Sequence, residues 1–269
     1  MAATIARIAV SVFRESVRDK VLYNLVFFAV LLIAASLLLG QLTAGQEVKI
    51  IKDLGLSAMS IFGLFIAVFI GIGLVSKEVE RRSIYALLSK PITRSQFIVG
   101  KYLGLVLTLA VNLSIMVAAH YGVLAWMNAQ ASEGLRASWE APALDPAMLK
   151  AVWLILVELM IVTAVALFFS TFSTPLLSAA MTFGIYVAGQ FSADFQRFDT
   201  VVDSPAAVWV AKALYYVLPN LGSLDIKAQV VHAQSVAWGS LALASAYGLL
   251  YVTLVLTGAV WIFSRRDFK

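Results

Sequence analysis

Residues 54–76 read LGLSAMSIFGLFIAVFIGIGLVS, and residues 77–101 continue KEVERRSIYALLSKPITRSQFIVGK. The first stretch is apolar throughout and long enough for a bilayer-crossing helix, which takes about 20 such residues. The second carries charges of both signs over some 25 residues, far more than a minimal helical hairpin needs. This succession of a greasy rod and a charged segment sets the fold class. A soluble core strand or helix would not run apolar for this length, and a barrel strand would alternate apolar and polar residues over about ten.

Working outward, the same texture recurs. Val21 to Gln46 and Tyr102 to Ser132 carry no charge, and Ala151 to Ala193 carries only Glu158. This last run has room for two crossings around the polar turn Ser170 to Pro175. A final span falls in the second half of Ala228 to Ser264. Six crossings are expected in an all-α integral membrane protein, organised as one domain over residues 1–269. The composition agrees, because 61% of the 269 residues are hydrophobic and 13% charged, against roughly a quarter charged in soluble domains. The first run is too long for a signal-peptide core and follows a long charged segment. Asp145-Pro146, Thr174-Pro175 and Ser204-Pro205 each place a capping oxygen before a proline suited to a first helical turn, and Ser95 can cap the third span.

Charge fixes an orientation. With six spans, the N-terminal segment, residues 77–101 and the C-terminus share one side, which holds 13 Lys and Arg against five Asp and Glu. The other side holds seven against nine. Lys and Arg accumulate in cytoplasmic loops, so both termini and the 77–101 segment are expected in the cytoplasm. The net charge of +5 is thereby explained without nucleic acid.

Three segments are not plain spans. Residues 4–20 are amphipathic: Ile5, Ile8, Val12 and Ser16 follow helical spacing, while Arg7, Arg14 and Arg18 lie mostly elsewhere around the wheel. Such a helix suits the headgroup plane, as a topology anchor or as a partner contact. Glu78 to Leu88 can form a short helix stopped by Pro91, with Ile84, Leu87 and Leu88 as an apolar stripe. It is either a docking lever or a solvated loop. Residues 194–235 hold Trp209, Tyr215, Tyr216 and Pro219-Asn220, which suggests short helices dipping into the outer interface or an ordinary aromatic belt. Within the spans, Glu158 is expensive to bury, and a count of depth from the outer ends pairs it with His120. Ala67 with Gly71, and Gly100 with Gly104, offer small residues at the four-residue spacing that lets helices approach closely.

Much chemistry is excluded. No P-loop occurs, since the only Gly-Lys, Gly100-Lys101, precedes Tyr102 and lacks the upstream glycine. No His-Glu-x-x-His occurs, and His120 and His232 are the only histidines. Cysteine is absent, and no Gly-x-Ser-x-Gly elbow appears. The chain reads as a membrane scaffold without its own motor, not an enzyme, and binds no cofactor itself.

Residues 78–101 carry a further signal. Glu78-x-Glu80-Arg81-x-Ser83-Ile84, then Leu87-Leu88-Ser89-Lys90-Pro91-Ile92-x-Arg94, then Gly100-Lys101, resembles the cytoplasmic loop of ABC-2 type permeases, the membrane subunits of type V ABC exporters. Tyr215 to Leu221 and Phe263-x-Arg265-Arg266-Asp267 are similar to family segments too, whereas Ser83 stands where Thr is more usual. The resemblance implies an N-terminal elbow helix over 4–20 with contacts through Arg7, Arg14 and Arg18. It implies a coupling helix over 78–90, and outer re-entrant helices at about 205–222 before the sixth span. Glu78, Glu80, Arg81, Arg82, Ile84, Leu87, Leu88, Pro91 and Arg94 would dock a separate ABC ATPase that holds ATP and Mg. A second permease copy, identical or related, would complete the pathway in a bacterial or archaeal cytoplasmic membrane, with an accessory protein outside as a further partner. The function so implied is export of a lipid, glycan, drug or peptide. The alternative is force transmission to an outer partner with nothing crossing.

Overall fold

The computed structural model describes residues 2–41, 46–80, 93–139, 141–196 and 204–265. All regular elements among them are helices, as a backbone without water to bond requires. In chain order they are α1 Ala2–Val17, α2 Lys20–Gln41, α3 Glu47–Glu80, α4 Arg94–Gln130, α5 Glu133–Ser138, α6 Met148–Ser170, α7 Pro175–Gln190, α8 Ser192–Gln196, α9 Pro205–Val217, α10 Lys227–Val231 and α11 Trp238–Arg265. A 3-10 turn, Gly222–Leu224, lies between α9 and α10.

Five helices among the described residues, α2, α3, α4, α6 and α11, are long and apolar enough to cross a membrane. The expected fifth crossing is shorter. α7 has 16 residues, about 24 Å of helix, less than the roughly 30 Å of bilayer hydrocarbon. Its end is blocked by later chain. The Gly189 carbonyl accepts a hydrogen bond from the Leu221 amide, and a Cβ at Gly189 would lie 2.8 Å from the Pro219 carbonyl oxygen.

α6 is the hub. It packs against α3, α4, α7 and α11 and is buried on nearly every face, as expected of a helix that is apolar all round. α2 lies at the edge against α3 and α4, with Tyr23, Phe27, Phe28 and Leu38 exposed. Two of the three proline-led starts fall where expected, at Pro175 and Pro205, but the side chains of Thr174 and Ser204 make no capping bond, and α6 begins at Met148 with Ala147 as its cap rather than at Pro146. α4 is capped by Thr93 rather than Ser95, in a reciprocal box with Gln96. The box wins because the residue three positions after Thr93 is a glutamine that can bond back.

The two ends of the bundle are pinned differently. At one end an Arg94 Nη1 donates to the carbonyl oxygens of Phe263 and Ser264, both at 2.8 Å, and Phe97 stacks on Phe263. At the other, Lys150 Nζ donates to the Val236 carbonyl at 2.7 Å and lies over the Trp238 ring, while Trp153 donates to Ser245. α6 and α11 therefore run parallel, with α4 opposed. The segment from α9 to α10 runs beside α11 and leaves by this second end. The Val217 carbonyl accepts from the Tyr251 hydroxyl and the Asn220 amide donates to the Tyr247 hydroxyl. Tyr251 is 13 residues beyond Trp238, so the segment reaches about 20 Å down α11 before returning.

Candidate functional site

The charged end is assembled on α1. Its Val12 and Ser16 are buried and Ile5 and Ile8 half-buried, while Arg7, Arg14 and Arg18 are exposed, so the amphipathic reading holds. The seat is a glycine seam on α4. A Cβ at Gly100 would lie 2.8 Å from the Ile8 side chain, and one at Gly104 would lie 2.6 Å from the Ala9 carbonyl oxygen. Any larger residue at either position forces α1 away, which gives the Gly100/Gly104 spacing a structural purpose. Beside the seam, Lys101 is buried with its ammonium 4.7 Å from the Phe97 ring centroid.

α3 leaves the bundle at this same end. The helix runs without a break from the apolar span to Glu80. Glu78 and Glu80, expected to open a separate helix, instead lie on the last turns of α3. Arg81, Arg82, Ile84, Leu87, Leu88 and Pro91 lie outside the described residues. Arg94, read as a docking residue, has its guanidinium on the last carbonyls of α11, where the negative end of the helix dipole attracts a cation.

A second polar centre lies inside the bundle. Glu158 is buried on α6 and accepts a 2.5 Å hydrogen bond from Gln190 at the end of α7. Lys227, Asp225 and Tyr186 are within electrostatic range of it. Lys227 in turn donates to Ser60 of α3 at 3.1 Å and pairs with Asp225 at 3.3 Å. The segment around Asp225 and Lys227 is thus tied to α3, α6 and α7 around one carboxylate.

His120 belongs elsewhere. It is buried against α3, with its ring where a Cβ on Gly55 would fall, and Lys52 is the charge within its range. Neither ring nitrogen makes a hydrogen bond. Lys52 Nζ donates to the Pro142 carbonyl at 2.8 Å, and the Tyr121 hydroxyl donates to that of Asp145 at 2.9 Å, so this group ties down the loop before α6. The proposed Glu158–His120 pair is therefore not brought together: each residue has its own surroundings. Sequence reading missed Gln190, Lys227, Ser60 and Lys52. The polar residues in otherwise apolar runs, Ser60 and Gln190, were the available signal.

Among the described residues no group of three or more His, Cys, Asp or Glu is placed to hold a metal ion. The family model described as ABC-2 family transporter protein matches residues 6–195, which run from α1 into α8. No curated protein matches the chain.

Proposed function

Because the chain belongs to the ABC-2 family of transporter proteins, and is thereby a multi-pass membrane subunit of an ABC transporter, we propose that its charged end docks a separate ATPase and that α3 carries the resulting motion into the bundle. The observation that carries this reading is the unbroken course of α3. One helix of 34 residues, about 51 Å long, holds Glu78 and Glu80 at its tip and Ser60 at the buried polar centre. The two sites are 20 residues apart, about 30 Å. A push on the tip has no hinge in which to dissipate before it reaches the Ser60–Lys227 contact.

The charged segment 77–94 meets the ATPase. Glu78, Glu80, Arg81 and Arg82 orient it through complementary charge, and Ile84, Leu87 and Leu88 supply the desolvated contact. Arg94 serves from behind, holding α4 against α11 so that the segment has a fixed far anchor. α1 lies at the membrane interface and offers Arg7, Arg14 and Arg18 to the same partner. ATP and Mg stay on the ATPase, and this chain is non-catalytic. Two permease copies flank the pathway, both termini face the cytoplasm of a bacterium or archaeon, and transport is outward.

Reversing Glu80, Arg81 and Arg82 to Lys, Glu and Glu, in a chain co-expressed with a cognate ABC ATPase, tests this. Membrane insertion and size-exclusion behaviour should be retained while recovery of the ATPase in a pull-down falls at least tenfold. Unchanged recovery overturns the docking assignment.

A further inference from the structure

Between α6, α7, α9 and α11 lies a cavity of about 790 Å³, within the range of small-ligand sites. On α11 it extends from Tyr247 to Gly258. Tyr247 is nine residues from the start of that helix and Gly258 seven from its end, so the cavity sits some 10–13 Å in from both helix ends, at mid-bilayer depth. Its walls are aromatic and aliphatic, with Phe168, Phe169, Tyr215 and Tyr216 facing Leu250 and Leu254, and no charged side chain lines it. The Tyr247 and Tyr251 hydroxyls already bond the backbone of the re-entrant tip. Leu250 and Leu254 both line the cavity and are more than half exposed, so its mouth opens sideways toward lipid.

We propose that this cavity seats the hydrocarbon chain of one lipid-like amphiphile, and that such an amphiphile, rather than a glycan or a peptide, is what the transporter moves. The second half rests on the transporter reading above. A glycan or peptide needs many hydrogen-bonding partners, and beyond the Tyr215 and Tyr216 hydroxyls the polar groups of the lining, Tyr247, Tyr251 and Asn220, already bond backbone; each unmet polar group in an apolar site costs roughly 1–3 kcal/mol. A second copy of the chain fits the mouth poorly, because helices associate in bilayers through small residues and Gly258 alone is small among the lining. The chain seated here touches Tyr215 to Leu218, the tip held by α11, so an occupant bears directly on the re-entrant segment.

The probe is a lysophosphatidylcholine with a diazirine at mid-acyl chain, applied to the purified full chain. Saturable photolabelling is expected on peptides covering 215–218 and 247–258, competed by unlabelled lysophosphatidylcholine. Val255→Trp fills the cavity and should cut labelling at least fivefold, with Gly258→Leu as a second blocking variant should the first misfold. Leu243→Trp, exposed on the same helix and away from the lining, should leave labelling unchanged. Labelling that never saturates, that spreads evenly along α11, or that is absent from a chain recovered as a dimer overturns the site.

A second arm uses the complex with its ATPase in proteoliposomes. The probe should stimulate hydrolysis above the basal rate in the parent and in Leu243→Trp, and not above its own basal rate in Val255→Trp. Equal stimulation in the parent and Val255→Trp overturns the substrate assignment. Photolabelling requires no ATPase, so loss of the ATPase from the complex would overturn the transporter reading while the cavity is still tested.

Discussion

Replacing Gly104 with leucine tests how α1 is held. The new Cβ would lie 2.6 Å from the Ala9 carbonyl oxygen and 2.7 Å from Val12. Ordinary contact begins at 3.4 Å, so α1 must retreat by about 0.8 Å for the Cβ alone, and further for the rest of the side chain. The obstructing atom is backbone and cannot rotate away. Overpacking of this kind typically costs about 1–3 kcal/mol, and full release of Val12, which is 4% exposed, forfeits a similar amount. The chain has no cysteine, so a single Val12→Cys reports on the seam by its rate of reaction with a maleimide. In the parent it should react much more slowly than Arg7→Cys. Adding Gly104→Leu should accelerate Val12→Cys about tenfold for each 1.4 kcal/mol lost and leave Arg7→Cys unaltered. If Val12→Cys reacts as fast as Arg7→Cys in the parent, or if Gly104→Leu has no effect, α1 is not seated on α4.

Two further outcomes concern the interior. Gly55→Ala drives a methyl into the His120 ring, since its Cβ would lie 2.2 Å from two ring atoms. It should destabilise the chain by about 1–3 kcal/mol, with most of that recovered on adding His120→Ala; additive losses in thermal unfolding would separate the two residues. Glu158→Ala strands the Gln190 amide and should destabilise by about 1–3 kcal/mol, whereas Glu158→Gln keeps an acceptor and most of the stability. Equal losses in the two variants would mean that the Gln190 bond contributes little.

The long apolar runs made the helices legible, because a spanning backbone has few alternatives to the α-helix, and the amphipathic spacing of residues 4–20 placed the buried face of α1 correctly. The crossings themselves were harder. α7 is as apolar as its neighbours, and what stops it is Pro219 to Leu221, some thirty residues later. The His120–Glu158 pairing failed for a related reason. Depth along two helices was counted, but each residue turns a helix by about 100°, and equal depth leaves the facing direction open. Arg94 read as a surface cation because its partners, the carbonyls at the end of α11, lie some 170 residues away. The Thr93–Gln96 box was readable as a local signature, and Ser95 was the weaker choice.

The central claim is that the charged tip of α3 meets an ATP-hydrolysing partner. A photo-crosslinking amino acid placed at Glu80, with exposed Trp209 of α9 as its counterpart, tests this in cells expressing both proteins. Crosslinks to the ATPase from position 80 and none from position 209 are the expected result. An ATPase captured only from position 209, or from neither, would contradict it.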